Sequence, residues 1–165
     1  MSARVAVTGL GPVWCGAVGR EALRSVLYGE AGGAPAVEVR PPSGRNATPG
    51  LRQMDVLGRL AVAAAQAALQ DASLVFGDDE AEGVGLAFGT SYGCLGSNAE
   101  YLHGIRARGT RLGNPIVFQN TVPNAATGYV AVATGIRGPN ATFAAGRVAG
   151  AEALAFGREQ IQEGW

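Results

Sequence analysis

Arg147 occupies a position where the predicted bend between a strand and a helix could carry a reactive group. The stretch 135–154, GIRGPNATFAAGRVAGAEAL, predicts a turn, a strand, a sharp bend at Ala145-Gly146 and a helix that begins at Arg147. Enzymes of the α/β class place nucleophiles at such bends because the helix dipole and its free amide hydrogens stabilise a thiolate or an oxyanion. A cation there is unfavourable by about 0.3–1 kcal/mol. We therefore expect Arg147 to serve in packing or charge pairing, the alternative being that it points into solvent.

The thiols and the single imidazole of the chain are Cys15, Cys94 and His103. Cys94 ends the loop sequence SYGC, where a reactive thiolate would need an adjacent base or a helix amino terminus. No basic residue adjoins Cys94 in sequence, so we expect both cysteines to be packed as small residues. A single histidine without a cysteine or second histidine nearby is typical of a surface or interface position. The spacing predicts neither a metal site nor a disulfide framework.

The segment Gly9-Leu10-Gly11 follows a predicted buried strand, Arg4–Thr8, as the glycines of dinucleotide-binding motifs do. The motif fails at its last glycine position, which holds Trp14, and no helix follows at once. A tight turn from a strand into a loop is the simpler interpretation. We therefore expect the chain to bind no cofactor.

The composition predicts one globular domain with few charges. The 165 residues are 47% hydrophobic and 16% charged, and their formal net charge is zero. Zero net charge disfavours binding to nucleic acid or to an anionic membrane surface. No apolar run reaches the roughly 20 residues that span a bilayer, and glycines and Pro12 interrupt the apolar start. Two cysteines favour a cytoplasmic location, and the few charges indicate that another chain covers part of the apolar surface.

Strands and helices alternate in the predicted order of elements, which indicates parallel pairing and an α/β fold. Residues 32–50 are rich in glycine and proline and predict a surface excursion with one short strand at 36–40. The predicted strands are Arg4–Thr8, Gly83–Gly89 and Asn140–Ala145, and the predicted helices are Arg20–Tyr28, Met54–Leu69, Asn98–Arg108, Thr121–Thr134 opened by Pro123, and Arg147–Gln162.

Five stretches of the chain, in this order, resemble motifs of the β-ketoacyl synthase family, which shares the thiolase fold. They are RVAVTGLGPV at the start, Arg52–Asp55 followed by Leu60–Leu69, Phe88–Thr90, Phe118–Gly128 (FQNTVPNAATG), and Gly135–Pro139. The resemblance implies the amino-terminal half of a thiolase-like fold, with a mostly parallel sheet and a central helix after the strand-to-helix bend called the nucleophile elbow. It also implies a single domain over residues 1–165, with the carboxy-terminal half of the family's fold absent.

The resemblance places Arg147 at the position of the family's nucleophilic cysteine. Its neighbours, normally Ala and Ser or Thr, are Gly146 and Val148. The family also uses two histidines from its carboxy-terminal half, and His103 lies upstream of the elbow and cannot replace them. With neither thiolate nor imidazole pair, the chain is expected to have no catalytic residue of its own.

The pattern is similar to the chain length factors of type II polyketide synthases, which pair with an active ketosynthase and shape its acyl tunnel. The resemblance implies a full-length ketosynthase partner, contact with acyl carrier protein through that complex, and a role in polyketide or fatty acid biosynthesis. It implies tunnel or interface positions at Phe118, Gln119, Val122 and Ala125. Two alternatives remain open, namely a condensing enzyme that borrows catalytic residues from a partner, and an inactive remnant.

Overall fold

The computed structural model describes residues 4–14, 17–28 and 53–164. The predicted strand at 36–40 and Cys15 lie outside these residues. The described strands are β1 (Val13–Trp14), β2 (Ala17–Val18), β3 (Leu86–Thr90) and β4 (Asn140–Ala144). The helices are α1 (Arg20–Leu27), α2 (Val56–Asp71), α3 (Leu95–Arg108), α4 (Pro115–Phe118), α5 (Ala125–Thr134) and α6 (Ala149–Glu163), with short 3₁₀ turns at Ala81–Gly83, Thr110–Leu112 and Gly146–Val148.

Strands β3 and β4 form a parallel pair at the centre of the described fold. Leu86 lies opposite Asn140 and Thr90 opposite Ala144. The amide of Leu86 also donates to the carbonyl of Pro139 at 2.7 Å. Parallel strands require a crossover connection, which α3, α4 and α5 provide between them. The predicted α/β fold with a parallel sheet and a helix directly after the last strand is confirmed.

Helices cover both faces of this strand pair. On one face α6 packs against β3 and β4, and the rings of Phe143 and Phe156 lie 5.4 Å apart. On the other face α5 packs on the strands and α2 packs on α5. Val62 and Val130 are each only 1% exposed within this second layer, where Leu86 and Phe88 also pack. Strand residues therefore alternate between the two helical layers, as the period of a buried strand requires.

Helix α2 is anchored at its start by Asp55, whose Oδ1 accepts a hydrogen bond from the Gly58 amide at 2.8 Å. A carboxylate at this position satisfies one of the free amides of the first turn. The nearly all-round apolar sequence predicts burial on more than one side. The structure agrees, because α2 contacts α5 on one side and the β1–β2 hairpin on another.

The predicted buried strand at Arg4–Thr8 is wrong. These residues have no regular secondary structure and are exposed, with Val7 77% accessible. Within the described part of the chain, no strand lies beside them to complete a hydrogen-bond ladder. The chain is instead anchored at the residues that follow Thr8. The Leu10 amide donates to Asp71 Oδ2 at 2.8 Å, and Gly9 packs against the backbone of α2. The loop then forms the antiparallel pair β1–β2, which the sequence pattern did not predict.

Two helix boundaries also differ from the predictions. The predicted helix Thr121–Thr134 is a turn followed by α5, so Pro123 precedes the helix and does not open it. The proline that does occupy a first helical turn is Pro115, where Asn114 caps α4 through its side chain. The bend before α6 is a 3₁₀ turn, which places Arg147 just ahead of the α-helix and not at its first residue.

Among the helices that the structure describes, none combines the length and apolar character needed to cross a membrane.

Candidate functional site

The bend between β4 and α6 has the geometry that the sequence predicts for a nucleophile elbow. Gly146 adopts φ +63°, a left-handed conformation that residues with a side chain rarely take. The 3₁₀ turn Gly146–Val148 then leads directly into α6. Arg147 is exposed at this turn, and within residues 4–14, 17–28 and 53–164 it makes no ion pair or hydrogen bond. The expected packing or charge-pairing role of Arg147 is therefore not seen among the described residues, and the side chain faces solvent, as the alternative had it.

The carboxyl ends of β3 and β4 bring further loops to the same edge of the sheet. After β3 the chain turns at Gly93, whose φ is +55° and whose amide donates to Thr90 Oγ1 at 3.1 Å. A side chain at Gly93 would lie 3.7 Å from Pro123 and 4.0 Å from Ala144. The turn before α3, the turn before α5 and the end of β4 therefore converge beside the bend.

The Cys94 thiol lies in this region as a packed group. It is 7% exposed, donates to the Thr121 carbonyl at 2.9 Å and receives a hydrogen bond from Asn98 Nδ2 at 3.3 Å. These bonds tie the start of α3 to the turn before α5. The predicted packing role of Cys94 agrees with this geometry. His103 is exposed on α3, as expected of a surface histidine.

The four predicted tunnel residues lie along one continuous segment, from the end of α4 to the start of α5. Phe118 is 57% exposed and Val122 48% exposed, while Ala125 is half-buried at the first position of α5. Gln119 is exposed at the end of α4. The structure therefore presents apolar side chains of this segment at the surface. Among the described residues, no hydrogen bond or ion pair connects the segment to Arg147.

A buried amide that the sequence reasoning missed holds this segment in place. Asn120 is 5% exposed, and its Nδ2 donates to the carbonyl of Gln53 at 2.9 Å and to that of Ile116 at 3.3 Å. Its Oδ1 accepts the Tyr129 hydroxyl at 2.7 Å. Gln119 Nε2 also donates to Gln53 Oε1 at 2.7 Å. Residues from three parts of the chain thus form one polar network, which no sequence motif indicates.

A second polar contact joins the same region to α3. Asp55, which caps α2, also accepts a hydrogen bond from Ser97 Oγ at 2.7 Å.

Burial raises the pKa of the Tyr129 hydroxyl above its ordinary value of 10.0, and the nearby negative charge of Asp55 raises that pKa further. The hydrogen bond with Asn120 acts in the opposite direction. Tyr129 therefore keeps its proton at neutral pH and is available as the hydrogen-bond donor to Asn120.

Arg147 supplies a positive charge at the bend, and the segment 118–125 supplies exposed apolar side chains. In the part of the chain that the structure describes, no group of three or more His, Cys, Asp or Glu side chains is placed to hold a metal ion. An arginine side chain is a permanent cation and no nucleophile at neutral pH. The exposed apolar side chains of residues 118–125 lie at the end of the strands where α/β folds place their sites.

Comparison with known proteins matches residues 36–165 to the family model "Beta-ketoacyl synthase, N-terminal domain". A curated 3-oxoacyl-[acyl-carrier-protein] synthase 2 of Synechocystis sp. is 28% identical over 114 residues, covering 69% of this chain. The chain spans only 27% of that relative.

Solved structures share the fold. The ishigamide ketosynthase/chain length factor superimposes with a TM-score of 0.78 at 24% identity, covering 96% of this chain and 49% of that one. A type II PKS acyl-carrier protein in complex with its ketosynthase bound to the hexaketide gives a TM-score of 0.78 at 22% identity, covering 99% and 49%. At these identities, the similarity shows that the backbone fold is shared.

Proposed function

Because residues 36–165 match its amino-terminal domain, the chain belongs to the β-ketoacyl synthase family, and we propose that it is a non-catalytic, chain-length-factor-like subunit. In this role it pairs with an active β-ketoacyl-ACP synthase and shapes the acyl tunnel of that partner in polyketide or fatty acid biosynthesis. The observation that carries the proposal is Arg147, an exposed cation at the bend where the family places its nucleophilic cysteine.

The proposed partner is a full-length ketosynthase, and acyl carrier protein reaches this chain through that complex. Two structural neighbours support this, since one is a ketosynthase/chain length factor and the other is a ketosynthase bound to its acyl-carrier protein. Residues 1–165 act as one amino-terminal-like domain in the proposal. We place the complex in the cytoplasm, which accords with the low cysteine content.

A second candidate is a condensing enzyme that uses catalytic residues supplied by its partner. The Synechocystis relative favours this alternative, because it is named as a 3-oxoacyl-[acyl-carrier-protein] synthase. The two candidates differ in whether this chain itself carries an acyl group. Acylation therefore separates them.

We expect no acyl adduct on this chain when it is incubated with a reactive acyl thioester, alone or with its partner. Arg147 offers no thiolate, and the Cys94 thiol is buried with its proton engaged by Thr121. Mass spectrometry of the intact chain measures the adduct directly. A stable adduct at Cys15 or Cys94 would contradict the non-catalytic assignment and favour the enzyme.

The same assignment predicts that Arg147→Cys does not create a condensing enzyme. The variant gains a thiol but no histidine pair to stabilise the oxyanion and promote decarboxylation. The assay uses a complex in which the partner's own nucleophile has been replaced, so that any product must come from this chain. Product at a rate above that of the Arg147 complex would count against the assignment.

Enlarging Ala125 is expected to shorten the products of the complex. Ala125 is half-buried at the start of α5, so a phenylalanine ring has to project from this segment into the proposed tunnel. A clash of about 1–3 kcal/mol with the longest chain changes the ratio of long to short products by roughly fivefold to a hundredfold. Chromatography of the released products measures the ratio.

The matched control is Ala107→Phe, which adds the same volume at an exposed alanine near the end of α3. We expect its product distribution to equal that of the unmodified complex. An Ala125→Phe complex that remains active with unchanged product lengths would overturn the tunnel role.

A further inference from the structure

The geometry points to Asn120 and Tyr129 as positioning residues that fix the side-chain positions of Phe118 and Gln119. Through these positions they determine the length of the acyl chain that the complex releases. This inference rests on the proposed function, in which the segment 118–125 limits the acyl chain. It adds a specificity role for two residues, one buried and one half-buried, whose contacts lie within this chain.

The segment cannot hold its own conformation, because α4 contains only the four residues Pro115–Phe118. An isolated helix of this length is unstable in water, so its position depends on contacts outside it. Its local support is the Asn114 side chain, which accepts the Ile116 amide at 2.9 Å. Further support comes from packing of α4 on α3, from the Cys94 thiol that donates to the Thr121 carbonyl, and from the polar network of Gln53, Gln119, Asn120 and Tyr129.

Asn120 is the centre of that network and anchors the segment to two other elements. Its Nδ2 donates to the Gln53 carbonyl at 2.9 Å, which fixes it to the chain just before α2. Its Oδ1 accepts the Tyr129 hydroxyl at 2.7 Å, which fixes it to α5. The two carbonyls of Gln53 and Ile116 determine the orientation of the amide, since a reversed amide would set its oxygen against two carbonyl oxygens. Without that hydroxyl, Oδ1 has no partner in a site that is almost closed to water.

Packing fixes the two ends of the network. The ring of Tyr129 lies over Gly58 so closely that a side chain there would approach Cδ2 to 2.8 Å. On the other side of the segment, the Phe118 ring lies 5.3 Å from the Tyr101 ring. Phe118 therefore contacts the Tyr101 ring on one side and is exposed to solvent on another. Loss of the Asn120 anchor removes the hydrogen bonds that join the segment to Gln53 and to α5.

The decisive variant is Tyr129→Phe in the complex with the ketosynthase, compared at equal amounts of assembled complex. We expect the fraction of products that differ from the main length to rise about fivefold, and the amides of residues 117–121 to exchange hydrogen about tenfold faster. Tyr28→Phe removes the same hydroxyl from a side chain that is 74% exposed after α1, and it is expected to change neither quantity. A change in complex stability alone would lower the total product but leave the ratio of lengths constant.

Gln53→Leu provides an independent variant at an exposed position. It removes only the side-chain bond to Gln119, and a smaller broadening in the same direction is expected. Product lengths identical to the unmodified complex in both variants, while Ala125→Phe still shortens the products, would overturn the positioning role and leave the proposed function standing. If Ala125→Phe also leaves the products unchanged, the proposed function fails, and this inference fails with it.

Discussion

Adding a single methyl group at Gly89 is expected to destabilise the chain by about 3 kcal/mol, near the upper end of overpacking costs in protein cores. Gly89 is the fourth residue of β3 and faces α6. A Cβ there would lie 2.6 Å from the Gly150 amide nitrogen and closer still to the Ala149 carbonyl oxygen. Both contacts are with backbone, so α6 as a whole has to move away from the sheet.

Urea-dependent protection from proteolysis, measured on the chain co-purified with the proposed ketosynthase partner, tests this expectation under constant partner concentration. The matched control is Gly96→Ala, at a position in α3 with no atom within 4 Å of the added Cβ. Alanine there is expected to stabilise the helix by up to about 1 kcal/mol. Equal stabilities of the Gly89 and Gly96 variants would show that α6 does not pack on β3 as described.

The elements around the bend could be predicted from sequence because their patterns agree at each level. Strand β4 begins at Asn140 in both the prediction and the structure, and α2 and α3 lie within a few residues of their predicted bounds. In each case an apolar run of the right period ends at a glycine, a proline or a capping side chain. Local sequence and tertiary packing therefore favour the same boundaries.

The segment Arg4–Thr8 shows why the remainder could not be predicted. Its β-branched alternation is typical of a strand, but a strand needs a neighbour for its hydrogen bonds, and a sequence pattern does not reveal whether one is present. What determines the path here is the close approach of Gly9 and Gly11 to the backbone of α2. That contact is non-local and leaves no periodic signal.

The candidate site divides in the same way. The bend at Gly146 was predictable because a strand, a glycine and a helix follow one another directly in sequence. The polar network was not, because Gln53 is far in sequence from Asn120 and Tyr129, and none of the three residues belongs to a recognisable motif. The one available signal is a polar Asn120 beside the apolar stretch Ile116–Phe118, and its burial becomes evident only in three dimensions.

Without the ketosynthase that we propose as its partner, the chain is expected to self-associate or to be insoluble, and co-expression with that partner is expected to make it soluble. Ala149 and Ala153 turn one side of α6 to the sheet, whereas Leu154 is 73% exposed and Ile161 49% exposed on another side. Val148 adds a third exposed apolar side chain at the start of the helix. Exposed apolar groups that lie together mark an interface or an aggregation surface.

Burial of the exposed apolar side of α6 against a partner contributes roughly 25 cal/mol per Å² of apolar area to association. Ordering of side chains and loss of free motion offset much of that gain, so association depends on a complementary partner. Leu154→Glu is therefore expected to weaken co-purification with the ketosynthase about tenfold or more. Leu27→Glu is the matched control, because Leu27 is 71% exposed at the end of α1, a helix that contacts β2 and not the sheet beneath α6.

Sedimentation of the isolated chain measures the first part of this expectation, and its outcome bears on the proposed function. In the proposed function, the surface of the partner covers this apolar side of α6. A soluble species of 16.7 kDa that melts cooperatively would show that the face of α6 needs no cover. Equal co-purification of the Leu154 and Leu27 variants would place the interface with the ketosynthase elsewhere on the chain.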